Sequence, residues 1–227
     1  MSQEPDTSSL RERLIDAGVE LVLSEGTAAL GLREIARRAG VSHGAPRRYF
    51  PTHHSLLSAI ARRGFADLGA RVAATMEEAT TEEATTEPSA TPRARLDALA
   101  RTYVGYALER RGMFELMFRH DLLDSEKHEP NAAGSRLRES TLPLFGLLTG
   151  LVAHCRARAD GDVRPDVAAA ALWANLHGIA QLWASESLPL ALGTPADERA
   201  GAGRLLPAPL DALVTAALDA HLGPVKP

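Results

Sequence analysis

The sequence predicts an all-α fold with an N-terminal helix-turn-helix head joined by a long helix to a larger C-terminal helical part. Three observations predict it. Apolar residues recur at three- and four-residue spacing along most of the chain. β-Branched residues are few and scattered, and no stretch alternates with the period of two that a half-buried strand requires. Glycine and proline fall between the periodic segments, where helices are expected to stop. At 227 residues, 45% hydrophobic and 24% charged, the chain can bury a sizeable core in one or two domains.

The elements follow in order. Residues 1 to 8 form a polar leader. Ser8 or Ser9 can cap a first helix that runs to about Glu25, with Leu10, Leu14, Ala17 and Leu21 on one face and Gly26 after it. Leu32, Ile35, Ala36 and Ala39 give a second helix its apolar side. Gly40-Val41-Ser42 stops that helix. Gly40 suits a C′ position, and Ser42 suits the N-cap of a short third helix. A helix, a three-residue turn containing Gly and a second short helix is the helix-turn-helix arrangement.

Pro51 and Thr52 start the next helix, which Leu56, Leu57, Ile60, Phe65 and Leu68 carry from His53 to about Met76. Residues 77 to 92 hold the repeat EEATT-EEATT followed by a Pro-rich run, and are expected to be a flexible acidic loop. Leu96, Leu99, Tyr103, Tyr106 and Ala107 mark a helix ending near Gly112. Met113, Phe114, Met117 and Phe118 mark a short amphipathic segment. Residues 120 to 134 are polar. Leu137 to Ala159, bent at Pro143, Val167 to Ser187 and Leu206 to Leu222 complete the helices, with a long loop from Gly193 to Pro207. The expected division is a helix-turn-helix domain at residues 1–52 and a larger helical domain at residues 53–227.

Charge supports the head. From Leu32 to Arg63 there are seven arginines (33, 37, 38, 47, 48, 62 and 63) and one acid, Glu34, in a chain of net charge −4. Positive charge gathered in one place in an acidic protein points to a polyanion, here double-stranded DNA. Ser42, His43, Gly44, Ala45, Arg47, Arg48 and Tyr49 are the candidates to meet it. Gly44 and Ala45 are small enough to let the backbone approach a groove, Arg47 and Arg48 suit guanine or phosphate, and Tyr49 suits phosphate. Arg33, at the start of its helix, is placed for the DNA backbone. Phe50 is expected in the core.

Other classes of function are disfavoured. No apolar run approaches the roughly 20 residues of a membrane helix. The N-terminus lacks a signal-peptide core, so a cytoplasmic location is expected. Cys155 is the only cysteine, which rules out an intrachain disulfide or a Cys-rich zinc site and leaves it as a small core residue. No strand–turn–helix nucleophile elbow occurs, and no enzyme activity, cofactor or metal is expected. His120, Asp121, Asp124, Glu126 and His128 are expected to be a solvated loop.

With these residues in place the chain resembles the TetR family of transcriptional regulators. LREIARRAGVS, Gly44 through Tyr49-Phe50, and Phe50-Pro51 running on to Leu56-Leu57 look like that family's head, over residues 10 to 68. Trp173, His177 and Gly178 supply a Trp-x-x-x-His-Gly signature seen in one subgroup. The run from Tyr103 to Glu109, continuing to Leu116-Met117-Phe118, is similar to that subgroup as well. Two positions depart from the pattern. Arg47 stands where the family usually has Tyr, and His53 where it usually has Lys at the start of helix four.

The resemblance implies a homodimer on a palindromic operator, and two heads reading successive half-sites require one on physical grounds too. The expected interface comprises Ala170, Trp173, Ala174, Ile179, Ala180 and Trp183 with Leu210, Leu213, Val214, Ala217 and Leu218. The resemblance also implies a pocket for an unknown small-molecule effector. The candidate lining is Tyr103, Tyr106, Met113, Phe114, Met117, Phe118, Trp173, His177 and Gln181, each of which a helical core would use equally well. It further implies a DNA contact at His53. A repressor released by its effector is the expected function. An activator, or a DNA-binding protein without an effector, would carry the same features.

Overall fold

The computed structural model describes residues 7–81, 91–119, 123, 133–156, 163–199 and 205–223. Among these residues there are ten α-helices and no strand: α1 (Thr7–Glu25), α2 (Leu32–Arg38), α3 (Pro46–Tyr49), α4 (His53–Thr81), α5 (Pro92–Glu109), α6 (Arg111–Phe118), α7 (Ala133–Arg156), α8 (Pro165–Ala184), α9 (Ser187–Ala191) and α10 (Ala208–Leu222). The all-α expectation holds. Among the described residues, no helix is long and apolar enough to cross a membrane.

The chain divides into two compact units that interleave in sequence. One comprises residues 1–67 and 110–141, the other residues 68–109 and 142–227. The first unit packs α1, α2, α3, the start of α4 and α6 around Leu14, Leu21, Val22, Ile35, Phe50, Leu56 and Ile60, all buried. Two glycines set how closely its helices approach. A Cβ on Gly18 of α1 would overlap the Ile60 side chain of α4. A Cβ on Gly112 would overlap the Val22 carbonyl oxygen of α1. Gly112 therefore lies in the first turn of α6 rather than ending α5, because only a residue without a side chain lets α6 dock there. Thr27 adds a 3.1 Å hydrogen bond to the Glu115 carboxylate of α6.

The second unit packs α5 against α8 and α10 around Leu96, Val104, Tyr106, Leu172, Leu176, Leu210, Val214 and Leu218. Two arginines of α5 grip α10. Arg93 donates to the Asp219 carboxylate and to the carbonyls of Leu218 and Gly223, at the end where helix carbonyls lack partners. Arg101 bridges Asp97, Asp211 and Thr215. Cys155 is half-buried near the end of α7, and burial pushes its thiol up from the ordinary range.

Several boundaries differ from expectation. α1 takes Ser8 and Ser9 into its first turn. α4 runs on to Thr81, so the first copy of the EEATT repeat is helical: Glu and Ala are good helix formers, and no Gly or Pro interrupts them. The expected loop is thus shorter at its start, and residues 82–90 lie outside the described residues. α8 ends at Ala184, after which Glu186 adopts φ 65° and the short α9 begins. Pro143 sits inside α7. Most of the polar segment 120–134 lies outside the described residues, although 133 and 134 open α7.

Gly112→Ala is expected to destabilise the protein by about 1–3 kcal/mol, because the added methyl meets main chain that cannot rotate away. Gly69→Ala is the control. It lies in α4 with nothing within 4 Å of the added atom, and removing a helical glycine there should stabilise by about 0.5–1 kcal/mol. Urea midpoints of the two variants check both signs.

Candidate nucleic-acid interface and C-terminal site

The turn between α2 and α3 closes by main-chain bonds. Gly40 adopts φ 67°, the Gly40 N–H donates to Arg37 O (3.1 Å) and the Val41 N–H to Ala36 O (3.0 Å). This pair is the Schellman closure, and the positive φ is why position 40 is glycine. The start of α3 departs from expectation. Ser42 is not its N-cap: its carbonyl, not its hydroxyl, is engaged, by the Ala45 N–H at 3.0 Å. The helix begins at Pro46. Proline has no N–H to continue an i→i−4 ladder back to Ser42, so His43 to Ala45 remain a turn and Pro46 takes the first helical position.

This geometry sorts the candidate residues. Ser42, His43, Gly44, Arg47 and Arg48 are exposed, Ala45 and Tyr49 are half-buried, and Pro46 and Phe50 are buried. The Phe50 ring lies under the Arg11 guanidinium, 5.3 Å from its centroid. Acids elsewhere in the head take up part of the positive charge. Arg37 pairs with Glu34, Arg38 with Glu25, and Arg63 with Glu12 and Asp16. The Arg37 hydrogen bond holds the Glu34 carboxyl below its ordinary range, and the same bond raises Arg37. Arg33, Arg47 and Arg48 are exposed and have no acidic partner among the described residues. Arg13 of α1 is likewise exposed with no acidic partner among the described residues, its guanidinium donating to the Ala39 carbonyl. His53 is exposed, with Nε2 donating to the Leu30 carbonyl at 2.6 Å.

The candidate pocket residues form separate groups. In the first unit Met113 and Met117 are buried against Gly64, Phe114 is buried as well, and Phe118 stacks edge-on with Phe65 and Phe114. In the second unit the Trp173 indole N–H donates to the Tyr103 hydroxyl (3.0 Å), and that hydroxyl shares a hydrogen bond with His177 Nδ1 (2.8 Å). Burial raises the Tyr103 phenol well above its ordinary range and lowers His177. Tyr106 is buried beneath Arg71, itself paired with Glu109. Gln181 is exposed on α8.

The residues of the expected interface divide into two groups within the single chain. Ile179, Ala180, Trp183, Leu210, Val214, Ala217 and Leu218 are buried in the chain's own core, because α8 and α10 pack against each other and against α5. Ala170, Trp173 and Ala174 are exposed and Leu213 is half-buried. The outer faces add Val167, Leu182, Ala212 and Ala216. No group of three metal-ligating side chains occurs among the described residues. Of the possible cation ligands in the polar loop, His120, Asp121, Asp124, Glu126 and His128 lie outside the described residues.

Comparison with known proteins identifies this arrangement. Residues 14–60 match the family described as bacterial regulatory proteins, tetR family, and residues 96–208 match the tetracyclin repressor-like C-terminal domain. The chain belongs to the TetR family. It is a DNA-binding transcriptional regulator and not an enzyme. A stretch of 91 residues is 36% identical to the HTH-type transcriptional regulator BetI of Rhizobium meliloti (strain 1021), spanning 40% of each protein. A Rhodococcus sp. RHA1 protein of unknown function superposes with a TM-score of 0.67 at 32% identity, over 97% of both chains. The multidrug binding protein EbrR, crystallised with imidazole, superposes with a TM-score of 0.53 at 25% identity, over 99% of this chain and 98% of EbrR.

If Arg48 makes a bidentate base contact, Arg48→Ala is expected to weaken operator binding by about 1–3 kcal/mol and to relax specificity at one position in each half-site; gel shifts on single-base variants of the duplex check it. His177 carries the second prediction. Its folded-state pKa is depressed, so below about pH 6.5, the ordinary histidine value, the unfolded chain takes up protons more readily than the folded one. Stability from this residue is intact above that pH and is lost as pH falls. His177→Asn, which keeps an acceptor for Tyr103 but does not titrate, should flatten the fall in melting temperature between about pH 6.5 and 5.

Proposed function

We propose that this TetR-family chain is a homodimeric repressor that binds a palindromic operator and is released by a small-molecule effector. The observation that carries the reading is the set of open arginines, Arg33, Arg47 and Arg48, on a head whose other paired arginines already have acids. In this reading Arg48 and Arg47 meet guanine edges or phosphate, Tyr49 and Arg33 meet phosphate, and the small residues Gly44 and Ala45 let the turn enter the groove beside Ser42 and His43.

A second copy of the chain is the partner that makes such a head useful. One head offers few contacts, and two heads about 34–36 Å apart read both half-sites. The outer faces of α8 and α10 support this, with Val167, Ala170, Ala174 and Leu182 on one helix and Ala212, Leu213 and Ala216 on the other. Small residues there permit close helix packing.

The effector acts on the C-terminal part. Tyr103, Trp173 and His177 supply a few polar atoms among apolar side chains, the pattern that suits a mostly hydrophobic molecule. EbrR, a relative of the same overall length, is titled a multidrug binding protein, which supports an effector of that general kind. An effector that binds better to an arrangement in which the heads are mis-spaced lowers operator affinity, and a coupling of about 1–3 kcal/mol suffices. The experiment is a reporter fused to the promoter beside the gene, measured with and without the gene. Repression predicts higher output when the gene is deleted, and lower output would mean activation. A compound that binds tightly yet leaves operator affinity unchanged would refute release by that compound.

A further inference from the structure

Helix α2 lies between two main-chain carbonyls that flanking helices take up. At its front, the Ile35 N–H reaches back to Gly31 O (3.0 Å), and the carbonyl before it, Leu30 O, accepts from His53 Nε2 (2.6 Å). At its rear, the Gly40 and Val41 N–H groups serve Arg37 and Ala36, and Ala39 O accepts from Arg13 Nη2 (2.6 Å). His53 is the first residue of α4, and Arg13 lies on α1. The helix that precedes the DNA-reading turn is thus held at both ends, once from each neighbouring helix.

The chemistry at each end fits holding rather than reading. At the front, the Nε2–H of His53, an exposed residue, is committed to the Leu30 carbonyl and so is not available to a phosphate oxygen. The Arg13 guanidinium sits at the C-terminal end of α2, where the helix dipole favours a cation and the last carbonyls lack backbone donors. Leu30 and Ala39, the residues that carry these carbonyls, are both buried, so the bonds end on backbone that the core already fixes.

We propose that His53 and Arg13 are positioning residues for operator recognition: they set the tilt of α2 and the turn against α1 and α4, and make no contact with DNA. The proposal rests on the chain's being a DNA-binding regulator. It also separates His53 from the phosphate-contacting role that a lysine at its position would imply.

The test uses the full-length protein and a duplex that the wild type enriches from a random-sequence pool. Affinity is measured from about 50 to 200 mM salt, the range in which counterion release sets the slope. Far-UV circular dichroism establishes that each variant is folded, and His53→Leu replaces His53→Ala if the latter is not. Removing the N–H at position 53, or the guanidinium with Arg13→Ala, is expected to weaken binding about tenfold, the loss of one charge-assisted or buried hydrogen bond. The salt slope stays that of the wild type. His53→Gln, whose amide N–H can reach the same carbonyl, recovers most of the affinity. Arg48→Ala serves as the contrast if it meets phosphate, with a slope lower by about one for each phosphate no longer neutralised. A slope reduced in the same way by His53→Ala, or affinity unchanged in both His53→Ala and Arg13→Ala, overturns the proposal. Failure of the wild type to enrich any duplex would instead count against the DNA-binding reading itself.

Discussion

The head depends on how the backbone between Ala36 and Pro46 disposes of its N–H and C=O groups. Gly40 at positive φ lets two successive N–H groups turn back onto α2, and Pro46, having none, withholds a third from the ladder that would have begun α3 earlier. Between them they fix both the length of the turn and the residue at which the short helix starts. The side chains that face outward, His43 and Gly44 in the turn and Arg47 and Arg48 on the helix, follow from that start. A substitution that restored an N–H at position 46, or a Cβ at position 40, would change which of them project before it changed any charge.

Electrostatics then refine what the backbone presents. The arginine-rich stretch carries a surplus of positive charge in sequence, and folding removes part of it by bringing Glu12, Asp16 and Glu25 of α1 to Arg63 and Arg38. These exposed pairs contribute little to stability. Their effect is to leave open positive charge at the front of α2 and on α3, beside Arg13 of α1. The head is therefore less generally basic than its composition implies.

Much of this was legible in the sequence because it is local. Gly40 ended α2 where its spacing required, the Met113–Phe118 segment formed α6, and the apolar period of α4 placed its buried face. What escaped was set by partners far along the chain. Pairs such as Arg38 with Glu25, or Arg13 with the Ala39 carbonyl, leave no pattern at short range. α8 is apolar on nearly every side, so periodicity could not say which face its own neighbours α5 and α10 would cover, and residues expected at an interface lie in the core of the single chain. The early start expected for α3 is different: Pro46 is plain in the sequence, and its missing N–H is enough to place the boundary. At the C-terminal site, Tyr103, Trp173 and His177 are each candidates from the sequence, but only the fold joins them by hydrogen bonds.

Both tryptophans of the chain lie on α8. Trp183 is buried, whereas Trp173 is partly exposed with its indole N–H held by the Tyr103 hydroxyl. The head contains neither. Tryptophan emission, excited at wavelengths that Tyr49 of α3 does not absorb, therefore comes from α8 alone, from one dry indole and one that meets solvent. The molecule carries a built-in optical separation between its C-terminal unit and its helix-turn-helix head.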